Sequence, residues 1–99
     1  MPIEGELYTF TKNNIDNSPD QQGVYALYLD GLVIYYGRAT VSIRSRLQSH
    51  YRGDEGSCTK QATSCRGEVC SNPVAREAQL LEEHKRLYGR LPRCNERVG

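Results

Sequence analysis

Apolar and aromatic residues dominate GVYALYLDGLVIYYGRA, residues 23–39, on both sides of Asp30-Gly31. Residues of this type suit a pleated, half-buried surface, and Asp-Gly between two such runs is a hairpin signal, so two antiparallel strands are predicted. With Thr40 or Ser42 as N-cap, Ile43, Leu47 and Tyr51 recur at every fourth position, one apolar stripe of a short helix that RGDEG then ends. Residues 53–62 read as loop, and TSCRGEVCS carries enough Thr, Val and Cys for a third strand, weakened by Gly67. Asn72 as cap and Pro73 at the first helical position open a last helix, with Val74, Ala78, Leu81 and Tyr88 as its inward face. Gly89 ends it, and Pro92 stops the chain from resuming. Residues 1–22 show no sustained period and are expected to be a lead-in and loop. The expected fold is α+β: a small three-stranded antiparallel sheet flanked by helices, in the order β-β-α-β-α.

Composition narrows the class. Ninety-nine residues, 37% of them hydrophobic and none tryptophan, allow one domain with a small core. No apolar run approaches the roughly 20 residues that cross a bilayer, and no basic-then-apolar leader opens the chain, so a soluble cytoplasmic protein is expected. In that compartment Cys58, Cys65, Cys70 and Cys94 are expected as free thiols. Their spacing contains no C-x-x-C knuckle, although with His50 and His84 a zinc site stays open.

The net charge of +1 hides an uneven distribution. Residues 38–52 hold Arg38, Arg44, Arg46 and Arg52 with no acid, and Lys85, Arg86, Arg90, Arg93 and Arg97 cluster near the end. Two such clusters suit a phosphate backbone if the fold makes them converge, and are solvated helix faces if it does not.

Five features in order resemble the GIY-YIG nuclease family. GVY, residues 23–25, stands for the first triplet, and YYG, residues 35–37, for the second. RLQSH, residues 46–50, is similar to the helix in which an arginine precedes a histidine or tyrosine by one turn. EAQLLEEHKRLYGRLPRCN is similar to the C-terminal helix, with Glu82 in the place of the metal-binding glutamate and Asn95 in that of the closing asparagine. The likeness covers residues 23–95, leaving 1–22 as lead-in and 96–99 as a tail. Tyr36 departs from the family's isoleucine, and Arg38 stands where a close branch has lysine.

The resemblance implies a divalent-metal-dependent endonuclease that hydrolyses a DNA phosphodiester by water attack. Glu82 would hold one Mg²⁺ or Mn²⁺, hard cations that prefer oxygen; its plainer reading is a surface ion pair with Arg86. Arg46, always cationic and forked, would stabilise the transition state, with Arg38, Arg44 and Arg52 gripping DNA. Tyr25 and Tyr35 would face the site, one of them the base, here expected to be Tyr35; His50 would bond a tyrosine or the water, and Asn95 would brace the glutamate or reach a phosphate. Gly23 and Gly37 permit close approach of backbone or DNA.

Sharing a face depends on the hairpin. A two-residue loop at Asp30-Gly31 would set Tyr25 opposite Tyr36 and send Tyr25 and Tyr35 to different faces. A three-residue loop, Leu29 to Gly31, or an equivalent bulge, is therefore expected, placing Tyr28, Tyr36, Val24, Ala26 and Ile34 on the other face. The length leaves no room for a separate targeting region, so a monomer or weak dimer, directed by DNA structure or a partner protein, is expected. A non-catalytic nucleic-acid-binding module would keep the arginines without needing the glutamate or tyrosines, and a small zinc or redox domain would rest on the cysteines instead.

Overall fold

The computed structural model describes residues 1–96; Arg97, counted in the second basic cluster, and residues 98–99 of the expected tail lie outside the described residues. The elements are β1 (Tyr8–Thr9), α1 (Lys12–Asp16), β2 (Gly23–Leu29), β3 (Leu32–Ala39), α2 (Ile43–Arg52), α3 (Ser57–Lys60), β4 (Ser64–Val69) and α4 (Pro73–Tyr88). They form an α+β fold whose sheet has four strands, not three, in the order β1-β4-β2-β3, every pair antiparallel. The added strand is only Tyr8–Thr9, too short to show a period; it pairs with Cys65 and Ser64 on the outer edge of β4. Residues 1–22 thus hold more than lead-in and loop, since α1, capped by Thr11, also buries Ile15.

The hairpin solves the register problem in its own way. Asp30 and Gly31 both have positive φ, 51° and 88°, the two-residue turn whose twist matches the strands. Leu29 therefore faces Leu32, against the expected three-residue loop. The expected bulge does occur: Tyr28 faces Val33 and Leu27 faces Tyr35, leaving Ile34 as the extra residue. Tyr25 lies opposite Gly37 rather than Tyr35, yet Tyr25 and Tyr35 share a face, their rings 6.1 Å apart. The bulge also carries Ile34 to that face, where it packs with Tyr25 and Leu27, while Val33 joins Tyr28 and Tyr36 on the other.

Each face has its helix. On the Tyr25 face α2 brings Ile43 and Leu47 into the larger core. Ser42 caps α2 by accepting from Ser45 N at 3.2 Å, and left-handed Gly53 ends it. On the opposite face α4 lays Leu80 against Val24 and Ala26. Asn72 and Gly89 bound α4 as expected, but the inward stripe differs: Pro73 and Leu80 are buried and Arg76, Glu77 and His84 half-buried, whereas Val74, Ala78 and Tyr88 are exposed. The rotation follows from Arg76, whose guanidinium forks onto Glu68 of β4 at 2.7 and 3.0 Å and reaches the carbonyls of Met1 and Pro2.

That rotation corrects the placing of Glu82. At about 100° per residue, Glu77 stands about 60° from the direction of Leu80, and Glu82 about 160° from it. Glu82 accordingly lies exposed beside Met1, Gln79, Glu83 and Arg86, away from the sheet. The cysteines are a second correction. Cys58 of α3 and Cys94 are disulfide-bonded, because the chain after α4 returns beside α3; Cys65 and Cys70 remain thiols.

Candidate active site

β3 is an edge strand, and both α2 and α4 reach it from their own faces. A cleft of about 510 Å³ opens there, lined by Tyr35, Arg38, Ser42, Ser45, Arg46 and Glu77. It straddles the edge: Tyr35 and Arg46 come from the α2 side, Arg38 and Glu77 from the α4 side. Among the described residues Glu77 is the one carboxylate of the lining, with Arg38 Nη1 3.5 Å from its Oε1. Burial raises its pKa, and the charges of Arg38 and Arg46 oppose the rise.

Beneath the cleft the polar groups are chained together. Tyr25 is fully buried, and its Oη lies 2.7 Å from His50 Nε2; His50 Nδ1 in turn lies 2.8 Å from Thr59 Oγ1. Burial and the neighbouring Arg46 charge push the pKa of His50 down to about 4. The ring is therefore neutral at pH 7, with one nitrogen donating and the other accepting. Burial likewise holds both phenols above their ordinary value, with Arg46 pulling the other way, so each is a hydroxyl in the protein alone. Arg46 Nη1 lies 2.9 Å from Glu55 Oε2, an oxygen that also accepts from Ser49 Oγ at 3.1 Å.

Two local features hold the phenols in place. Gly37 leaves room for Tyr25: a Cβ there would sit within the contact radius of Tyr25 Cζ and Oη and 2.7 Å from Tyr35 Cε2. Asn95 grips the strand from its open edge, accepting from Tyr36 N and donating to Tyr36 O, both at 2.9 Å, while Cys94 N donates to Ile34 O at 2.8 Å. The returning chain thereby acts as a short extra strand at the bulge.

Among solved structures the chain is similar to the GIY-YIG N-terminal endonuclease domain of UvrC from Thermotoga maritima bound to its catalytic divalent cation, magnesium. The TM-score is 0.63 at 22% identity, covering 75% of this chain and 89% of that one. A tyrosine-to-phenylalanine variant of that domain, also cation-bound, aligns with TM-score 0.64 and 23% identity over 87% and 94%. This chain has the GIY-YIG endonuclease fold. No protein-family model and no curated protein sequence matches it.

Set on the GIY-YIG fold, the residues singled out in the sequence separate into groups. Tyr35, Arg38 and Arg46 line the cleft, with Tyr25 and His50 directly beneath. His50 is buried, not a surface histidine. Asn95 is hydrogen-bonded to the backbone of Tyr36, not to Glu77 or to a side chain of the cleft lining, and so braces β3. Arg44 is turned to the Ser18 carbonyl at 3.0 Å and Asp20 at 3.9 Å, and Arg52 pairs with Asp54 at 2.9 Å; neither lines the cleft. Sequence reasoning missed Glu77, Glu55 and Thr59. Glu77 had one available signal, its place one turn before Leu80, but a stripe made of Pro73, Arg76, Glu77, Leu80 and His84 shows no apolar period. Among the described residues no three His, Cys, Asp or Glu side chains gather to hold a metal, and no helix is long and apolar enough to cross a membrane.

Proposed function

We propose that this chain is a divalent-metal-dependent endonuclease that hydrolyses a DNA phosphodiester by water attack. The observation that carries the reading is the convergence on one cleft of a phenol, a guanidinium and a carboxylate: Tyr35, Arg46 and Glu77. A lone carboxylate among polar groups fits a hard cation that keeps several of its waters, so Glu77 is the residue to hold Mg²⁺ or Mn²⁺. Bound there, the ion would supply positive charge for the leaving oxygen.

The two phenols divide their roles by exposure. Tyr25 has no contact with solvent, whereas Tyr35 is half-buried and lines the cleft, so Tyr35 takes the proton of the attacking water. From an ordinary phenol that costs about 4 kcal/mol at neutral pH. Burial adds to the cost, and the charge of Arg46 beside the ring reduces it. Arg46 also meets the charge growing on the phosphoryl oxygens, with Arg38 holding the flanking phosphate. Tyr25, fixed by His50, keeps Tyr35 and Arg46 in position.

The test is nicking of supercoiled plasmid and branched DNA with Mg²⁺ or Mn²⁺ by wild type, Arg46→Ala, Glu77→Ala and Glu82→Ala. Wild type and Glu82→Ala should cut, and the other two should lose about 10²–10³-fold in rate. Intact DNA under both metals, or a dead Glu82→Ala beside an active Glu77→Ala, refutes the assignment.

A further inference from the structure

Tyr36 points away from the cleft and takes no part in the chemistry above. Its ring stands in a groove of about 540 Å³ bounded by β3, the hairpin turn, the end of α4 and the segment Arg90–Arg93. Three rings follow one another there, Tyr36 to His84 at 6.3 Å and His84 to Tyr88 at 4.7 Å between centroids. The middle ring is fixed: its Nδ1 donates to the Arg90 carbonyl at 2.7 Å, since that oxygen can only accept. Tyr88 is 68% exposed, so the row is open to solvent. Arg90 and Arg93 form the rim, Arg90 shared with Glu96 at 3.0 Å, and no acidic side chain lines the groove among the described residues.

We propose that this groove binds unpaired nucleotides of the DNA substrate, their bases stacked on Tyr36, His84 and Tyr88 and their phosphates held by Arg93 and Arg90. Flat apolar faces strung on a polyanion match both halves of the surface. An apolar peptide would cover the rings but bring no anion to the arginines of the rim. Stacking takes any base, so the groove reads single-strandedness rather than sequence. Tyr35 and Tyr36 are consecutive residues on opposite faces of β3, so a strand held in the groove reaches the cleft by passing over the Asn95 clasp at that edge. Resting on the nuclease reading of the cleft, the groove makes flaps, bubbles and overhangs the preferred substrates.

Metal-free fluorescence anisotropy with a short labelled oligothymidylate and a blunt duplex of equal length tests this. Wild type should bind the single strand more tightly, and Tyr88→Ala and Tyr36→Ile should each weaken that binding about tenfold. Arg93→Gln should weaken it and flatten its salt dependence. Tyr88 is too exposed for its loss to unfold the chain, and Tyr36→Ile installs the residue GIY-YIG proteins carry there. Unchanged single-strand affinity in both ring variants overturns the proposal. So does a concentration-dependent dimer, seen by sedimentation, that Tyr88→Ala abolishes without touching oligonucleotide affinity, which makes the groove a contact between copies. Plasmid nicking without single-strand binding removes the groove and leaves the nuclease. Ring-dependent single-strand binding by a wild type that cuts nothing does the reverse.

Discussion

Reducing the Cys58–Cys94 bond should cost this domain a large share of its stability. The bond closes a loop with a sequence separation of 36. By the entropy it removes from the unfolded chain, a loop of that length contributes about 4 kcal/mol, against a total of about 5–15 kcal/mol for a domain. The same bond ties together the neighbours of two supports: Thr59, which holds His50, and Asn95, which grips Tyr36. Urea titrations with and without reductant, beside a Cys58→Ser/Cys94→Ser variant, should therefore show a loss of about 4 kcal/mol in both reduced and variant protein. Thiol counting gives an independent reading. Unfolded, unreduced protein should expose two thiols, Cys65 and Cys70. In the native protein Cys70 should react first, since burial pushes the pKa of Cys65 up to about 11. Four thiols in the unreduced chain, with a urea curve indifferent to reductant, would refute the reasoning and restore the expectation of free cysteines.

Two further outcomes follow from the buried side of the site. Gly37→Ala forces a methyl group against a phenol that cannot retreat, because Tyr25 is fully buried and bonded to His50. Overpacking of this kind costs about 1–3 kcal/mol, so the melting temperature should fall and nicking with it; a variant that melts and cuts like wild type shows that the ring has slack. The second outcome concerns pH. His50 has a folded pKa of about 4 against an unfolded value of 6.5, so between those values the unfolded chain binds the extra proton. Its contribution is intact above pH 6.5 and is lost as pH falls toward 4, about 3 kcal/mol in all. Wild type should lose more stability than His50→Gln across that window, and parallel curves would contradict the buried neutral ring.

The sequence was legible where local chemistry decides. Asp30-Gly31, Ser42, Asn72 with Pro73, and Gly89 mark their turns and caps where the structure has them, because each acts on backbone within a few residues of itself. What stayed hidden depends on partners distant in sequence. Strand β1 exists only because β4 offers an edge, and the disulfide only because the chain returns past α3. The facing of α4 was hidden for the same reason. Arg76 points inward to meet Glu68, a contact no helical period encodes, and that turn exchanges Glu82 for Glu77 at the cleft.

A single inserted residue decides whether the cleft exists. With the two-residue turn at Asp30-Gly31 and no bulge, Tyr25 would face Tyr36 across the hairpin, and Tyr35 would point toward α4. Ile34 breaks that parity, and the break needs external support, since a bulge leaves a ladder position unpaired on an edge strand that water and other chains can reach. The structure supplies the support from the far end of the sequence. Cys94 N takes the carbonyl of Ile34, and the Asn95 amide takes both backbone groups of Tyr36. Cys94 and Asn95 thus bear on Tyr35 through the backbone on either side of it, Cys94 at Ile34 and Asn95 at Tyr36. An asparagine hydrogen-bonded to neither the glutamate nor a side chain of the cleft is in this way tied to the geometry of the cleft, and the disulfide beside it keeps that clasp closed.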